Sequence, residues 1–341
     1  MYTSIEDKSH IFNQFTIDTE KGLQDLIGNL DGNPNLRFRG ICEAKYNMLT
    51  SLQRKCPIIM KDRQKEYMTG LLHRVKCNSL VNNYFNNKKI DINDISCLAL
   101  MQHHGLPTPL LDFSTDIRIA LSFAADGVKT ETEECETDKY VSLYVFDKAY
   151  EQELGNSIQQ VLMNDMANGN HFIEYHNRQY PTESVNASIL YNIDEFVKWD
   201  DIKDLELSYL EYQPLAPGVV TLCGQSLDLS NPNLIKQKGC FLLNLYSNTM
   251  SLEENWNGRT IESKNHFLKN MSSEFGHFPF KGVSTRKKMN CYDIKKEVII
   301  KWAEKDSIPL YDNSQETTEI KKTLMDIYTG FDKEINNKQY L

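Results

Sequence analysis

The apolar residues of this chain recur in two periods, one of about 2 and one of about 3.6, and they divide it into short strands and amphipathic helices. Phe15 and Ile17 predict a strand or turn, and Leu23, Leu26, Ile27 and Leu30 predict a helix behind it. Thr19 with Asp18 opens that helix, and Gly32-Asn33-Pro34 closes it. Residues 36–41 then alternate. Leu36, Phe38 and Gly40 face one way, while Arg37, Arg39 and Ile41 face the other, as in a half-buried strand. A long amphipathic helix is expected over 61–85, with a break at Gly70.

The densest pattern lies between Cys97 and Ala125. SCLALM (96–101) reads as the buried end of a helix, Gln102, His103 and His104 follow together, and Gly105 with a Pro-Thr-Pro turn ends the helix. Leu110 and Leu111 return to the core before Asp112, Ser114, Thr115 and Asp116. IRIALSFAA (117–125) is a mostly buried helix with a glycine stop at Gly127, and Ser114 or Thr115 is placed as its N-cap. The free N–H groups of such a first turn also suit an anion. A polar loop held between two buried segments is where sites are built.

Downstream, 126–140 is acidic and reads as an exposed loop, and YVSLYVF (140–146) as a central strand. Residues 150–205 read as an insertion carrying helices, and strands return in 208–225 and 235–247. Ile294, Val298, Ile299 and Trp302 have helical spacing, and an amphipathic helix with a polar tail ends the sequence. The fold class expected is α+β, a compact β-sheet core with flanking helices. Its expected division is a helical lead-in over 1–30, a core domain over 31–250 and a helical extension over 251–341.

Composition narrows the chemistry. Of 341 residues, 40% are hydrophobic and 25% charged, which is an ordinary globular balance. A net charge of −9 gives no general attraction to nucleic acid, leaving RKK (286–288) and KDRQK (61–65) as local basic stretches that more often form solvated faces. The eight cysteines stand singly, so neither a zinc ribbon nor a small disulfide framework is expected. His171 and His176 have no nearby carboxylate pair, and no metal is expected. No run approaches ~18 consecutive apolar residues, and MYTSIEDKSHIF lacks the features of a signal peptide. A cytoplasmic protein without a membrane partner is the expectation.

Three motifs resemble those of the FRG-domain family: Phe38-Arg39-Gly40, then Gln102-His103-His104-Gly105-Leu106-Pro107-Thr108 with Leu111-Asp112, then Gln237, Gly239 and Phe241. The resemblance covers roughly 30–245 and continues more weakly to about 310. Pro109 stands where the family commonly has a basic residue, and NPNLIKQ (231–237) lacks the arginine expected before the glutamine.

The outline is also similar to mono-ADP-ribosyltransferases, whose split sheet binds NAD. That resemblance implies that Arg39 holds the diphosphate of NAD as substrate and that Ser114 or Thr115 shapes the nicotinamide side; Gly40 and Thr108 are further candidates for binding it, and His103, His104, Asp112 and Gln237 are the candidate catalytic residues. An arginine fork suits a diphosphate, whereas Gln237 cannot supply the negative charge that a developing cation needs, so Asp112 is the substitute. The implied activity is ADP-ribosyl transfer to a protein or nucleic-acid acceptor, as by a toxin or anti-phage effector with an inhibitor or antitoxin partner. Two other readings stay open: a module that binds a nucleotide without turnover, and a nuclease using His103, His104 and Asp112.

Overall fold

A computed structural model describes residues 1–55, 61–90, 92–129, 134–147, 219–222, 236–244, 251–253, 289–310 and 315–338. Among these, seven strands form one mixed sheet: β1 (Asn13–Ile17), β2 (Leu36–Ile41), β3 (Leu110–Ser114), β4 (Tyr140–Asp147), β5 (Val219–Leu222), β6 (Gly239–Asn244) and β7 (Asn290–Lys295), in the order β1-β7-β4-β2-β3-β6-β5. The β1–β7 pair is parallel, and the other pairs are antiparallel. With flanking helices, the fold is α+β. Strands from both ends of the chain join the sheet, since β1 pairs with β7 and β7 with the predicted central strand β4.

The alternation read in β2 holds. Leu36 and Phe38 pack with α2 (Glu20–Leu30), α7 (Ile117–Ala125) and α8 (Lys296–Asp306) through Leu23, Leu26, Ile117, Leu121, Val298 and Trp302. Ile41 faces a second cluster built on Tyr144, Phe146, Phe113, Leu242 and Cys291, which Tyr2, Phe12, Met48 and Leu252 cover. A third cluster lies between helices: α4 (Lys61–Lys76), α5 (Ser79–Lys88), α6 (Asp94–His103) and α9 (Gln315–Lys338) bury Leu71, Val75, Phe85, Leu98, Leu324 and Phe331, touching the sheet at Leu110 and Phe241. Buried side chains of this size contribute about 1.5–3 kcal/mol each.

Several local expectations are corrected. The break in the 61–85 helix falls at Cys77–Asn78 rather than Gly70, because the Asn78 side chain accepts from the Leu80 and Val81 N–H groups and caps α5. Gly70 stays helical, with the Phe331 ring packed where a side chain would stand. Asp116, not Ser114 or Thr115, caps α7 through the Arg118 N–H, because the ladder to β6 keeps Ser114 in β3. Within 126–140, residues Glu136–Lys139 form a 3-10 turn that buries Thr137 and Asp138, the latter paired with Lys45. Ile294 belongs to β7, so the helix of Val298, Ile299 and Trp302 begins at Lys296. The 150–205 insertion, His171, His176 and RKK (286–288) lie outside the described residues, as do the side chains of 61–65.

A buried ion pair ties the N-terminal helix α1 (Ile5–Ser9) to the sheet. Lys8 Nζ, fully buried, donates to Asp293 Oδ1, to Ser142 Oγ at 2.7 Å and to the Ala44 carbonyl at 3.2 Å. Such a pair is neutral to stability when complete, and removing one partner costs about 3–5 kcal/mol. Among the described residues, no helix is long and apolar enough to cross a membrane, and Cys42, Cys77, Cys97, Cys135, Cys240 and Cys291 are free thiols.

Candidate functional site

The site forms where the sheet opens. β2 and β3 are registered at a single position, Phe38 opposite Ser114, after which the strands part. β2 then follows β4 through Ile41, and β3 follows β6 through Leu110. Gly40 stands at this parting. A Cβ there would stand 1.8 Å from the Ala120 carbonyl oxygen and 2.7 Å from the Ala124 nitrogen, so β2 lies directly on the backbone of α7. The close approach that glycine permits is therefore to a helix, on the face away from Arg39.

Parting the strands leaves the Asp112 carbonyl without a ladder partner on this side, and Arg39 Nη1 donates to it at 2.6 Å. By strand alternation Arg39 lies on the face of Phe113, its guanidinium carbon 6.0 Å from that ring's centre. Asp112 points to the other face. Through the gap the two meet, with Arg39 Nη1 4.0 Å from Asp112 Oδ2. The arginine side chain is 18% exposed and the aspartate 51%, so the pair borders solvent. Among the described residues Arg39 Nε is nevertheless buried with no acceptor, as is the hydroxyl of Tyr144, which stands opposite Arg39 in the β2–β4 register. A buried polar group without a partner costs about 1–3 kcal/mol. Burial lowers the Arg39 pKa, Asp112 works to raise it, and Arg54 lowers it again. An arginine stays charged under such shifts.

The second motif shapes the other wall. α6 ends in a Schellman cap: the Leu106 N–H bonds to the Met101 carbonyl at 3.0 Å and the Gly105 N–H to the Gln102 carbonyl at 3.1 Å, with Gly105 at φ +80°. Met101 and Leu106 supply the apolar contact of that motif, both buried in the interhelical cluster. This stop leaves Gln102 beside β3. Gln102 Nε2 donates to Asp112 Oδ2 at 2.7 Å and its Oε1 accepts from Thr108 Oγ1, so the amide fixes the carboxylate. Thr108, fully buried, is itself held by Ser51: its N–H donates to Ser51 Oγ at 2.9 Å.

His103 and His104 form an edge-to-face pair, 4.6 Å between ring centres. Burial pushes both pKa values down, that of His104 to about 3 with help from His103 and Lys321. At neutral pH His104 is an uncharged imidazole. The Asp112 charge acts on His103 and works to raise its pKa, but the aspartate's hydrogen-bond partner is Gln102 rather than either histidine.

Ser114 and Thr115 sit at the far end of β3. Ser114 Oγ donates to the Gln237 carbonyl at 2.7 Å and accepts from the Asp116 N–H at 3.0 Å, and the Thr115 N–H donates to the Lys238 carbonyl at 2.9 Å. Burial works to raise the Asp116 pKa, but hydrogen bonds from Lys238 and the Arg118 N–H hold that carboxyl below its usual value. The Gln237 side chain donates to the Leu310 carbonyl at 2.7 Å. Arg39, Gln102, Thr108 and Asp112 thus come together with His103 beside them, while Ser114, Thr115 and Gln237 form a separate set of loop-to-strand bonds.

Sequence reasoning missed Glu253 and Tyr144. Glu253 is fully buried, accepts from Tyr2 Oη at 2.8 Å and the Met48 N–H at 3.1 Å, and has its pKa raised by burial. Its charge reaches both Arg39 and Tyr144. No local pattern marks either residue. Tyr144 was legible only as a core position of a strand, and Glu253 follows a single leucine in an otherwise polar stretch.

Among the described residues no group of three or more His, Cys, Asp or Glu side chains is gathered for a metal. In comparisons with known proteins, residues 34–133 match the family model described as the FRG domain. Those residues contain Arg39, Gly40, the Gln102–Thr108 motif and Asp112 through Thr115. No curated protein and no solved structure matches the chain.

Proposed function

This chain carries an FRG domain, and from that premise we propose that the opening between β2 and β3 is a nucleotide site, used for ADP-ribosyl transfer from NAD to a macromolecule. The observation that carries the reading is the Arg39–Asp112 arrangement. A permanently charged fork with an unpaired N–H borders an exposed carboxylate that a glutamine holds in place. In this reading Arg39 takes the diphosphate bidentately. Asp112 stabilises the oxocarbenium-like cation that develops as the nicotinamide bond breaks, because a carboxylate fixed in advance is worth most where charge appears only in the transition state. Gln102 and Thr108 are positioning residues that hold Asp112 through hydrogen bonds.

The acceptor is then a protein or nucleic acid, the chemistry of a toxin or anti-phage effector, and an inhibitor protein would be its natural partner. Incubating the full chain with NAD labelled in the adenylate moiety and a cell extract tests this. Label on a macromolecule, lost in Asp112→Asn, is the expected result. Absence of both label transfer and nicotinamide release with the folded protein contradicts it.

A second reading, a nucleotide-binding module without turnover, is favoured by one specific observation. The Gln237 amide is engaged by the Leu310 carbonyl, and Arg39 already donates to a backbone carbonyl, so part of the constellation is committed to structure. NAD bound but unchanged in the same incubation supports that reading. In the nuclease reading His103, His104 and Asp112 would act together, with Gln102 holding the carboxylate.

A further inference from the structure

The segment from Met48 to Lys55 is tied to the site from both ends. Glu253 accepts the Met48 N–H, and the Leu252 N–H donates to the Met48 carbonyl at 3.0 Å. At the other end, helix α3 (Ser51–Lys55) is pinned to Thr108: Ser51 Oγ accepts the Thr108 N–H, and the Leu52 N–H donates to the Thr108 carbonyl at 3.1 Å. Residues three apart share a helix face, so the face that holds Thr108 through Ser51 also carries Arg54. The Arg54 guanidinium is steadied by the Leu49 carbonyl, 2.6 Å from Nη1, and among the described residues its acceptor is that carbonyl and no carboxylate.

α3 thus stands beside the Thr108–Gln102–Asp112 chain of hydrogen bonds that ends on Arg39, and the charge of Arg54 opposes that of Arg39. Two arginines held near one another by bonds to other groups repel, in a chain whose net charge is −9. Arg39 Nε and the Tyr144 hydroxyl are buried donors without an acceptor among the described residues. Tyr144 is fully buried and shares the face of its cross-strand neighbour Arg39.

We infer that Arg54 is the second arginine of a diphosphate clamp: it holds one phosphate of the ligand, while Arg39 holds the other. The inference rests on the nucleotide reading above and narrows the ligand class to molecules with two linked phosphates. A lone phosphate satisfies one end and leaves the other cation unpaired, so the site discriminates by phosphate number.

Inorganic phosphate and pyrophosphate are the direct probes, titrated calorimetrically into the full chain, with AMP and ADP as a second pair. The wild-type protein should bind pyrophosphate more tightly than phosphate by on the order of tenfold or more, the weight of one added charge-assisted contact. Arg54→Gln should bring that ratio close to unity while leaving phosphate affinity nearly unchanged, and Arg54→Lys should restore part of it. A wild-type ratio near unity, a ratio that survives Arg54→Gln, or failure of either anion to bind overturns the clamp. If pyrophosphate is preferred and ADP binds no better than pyrophosphate, the clamp stands and the nucleotide reading falls.

Discussion

The Arg39 guanidinium donates to the backbone carbonyl of Asp112 in place of the bond that β2 and β3 would have made had they stayed paired. One side chain therefore closes a gap in the sheet and presents charge at its edge. This double duty explains why an arginine, with several donors in a fixed fork, stands in the motif: one N–H serves the fold and others remain for a ligand. It also shapes how variants should behave.

Arg39→Met should lose stability and anion binding together. The Asp112 carbonyl is left without its donor, which costs about 1–3 kcal/mol. Urea unfolding of Arg39→Met and Arg39→Lys measures it, and an unchanged midpoint in both variants would show that the bond carries no weight.

Two glycines should respond oppositely to alanine. Gly40→Ala drives a methyl into the backbone of α7, where neither the Ala120 carbonyl nor the Ala124 nitrogen can step aside. A destabilisation of about 3 kcal/mol or more is expected, at the upper end for overpacking. Gly28 in α2 has open space around it, and Gly28→Ala should stabilise by up to about 1 kcal/mol through helix propensity. Thermal melts of the two variants provide the comparison.

The turn after α6 depends on Gly105. At φ +80° a side chain is strained even though space is open, so Gly105→Ala should cost about 1–2 kcal/mol. Because the cap sets where Gln102 stands, the same variant should also weaken ligand binding at Asp112, as titration of the variant would show.

Stability should fall with mild acid. The His104 pKa is near 3 in the folded protein against an ordinary 6.5, so between those values the unfolded chain binds more protons. The contribution of this group is complete above about pH 6.5 and is lost as pH falls towards about 3, at up to about 1.4 kcal/mol per pH unit. The lowered His103 pKa acts in the same direction. Urea titrations at about pH 7 and about pH 5 should show a steeper loss in the wild type than in His104→Gln. Equal slopes would mean that His104 is not held neutral.

Much of the frame was legible because its periods are uninterrupted. β2 and β4 alternate or run apolar over their whole length, α2 carries its own cap in Thr19, and α9 shows one apolar stripe through Ile320, Leu324 and Phe331. β3 was not read as a strand because its five residues include an exposed Asp112 and end on Ser114, a residue that caps helices as readily as it ends strands. The α7 cap was misplaced for the same reason. Ser114, Thr115 and Asp116 all suit that role, and the pairing of Ser114 with Gly239 decides between them. In the site, Arg39, Gln102 and Asp112 come from two of the motifs and are neighbours in space. Gln102 rather than a histidine holds Asp112 because α6 ends one residue past Gln102, which directs the amide to the carboxylate. Glu253 and Arg54 join the site through tertiary contacts alone, and no spacing in the sequence announces those.

The most direct measurement is nicotinamide release from NAD by the wild-type protein and by Asp112→Asn, with circular dichroism confirming that both are folded. The asparagine keeps an oxygen for Gln102 and removes only the charge. Release by the wild type that falls by about two orders of magnitude in the variant, as expected when preorganised charge stabilisation is lost, is the predicted result. Equal release by both proteins, or none by either, would contradict the assignment of Asp112 to the reaction.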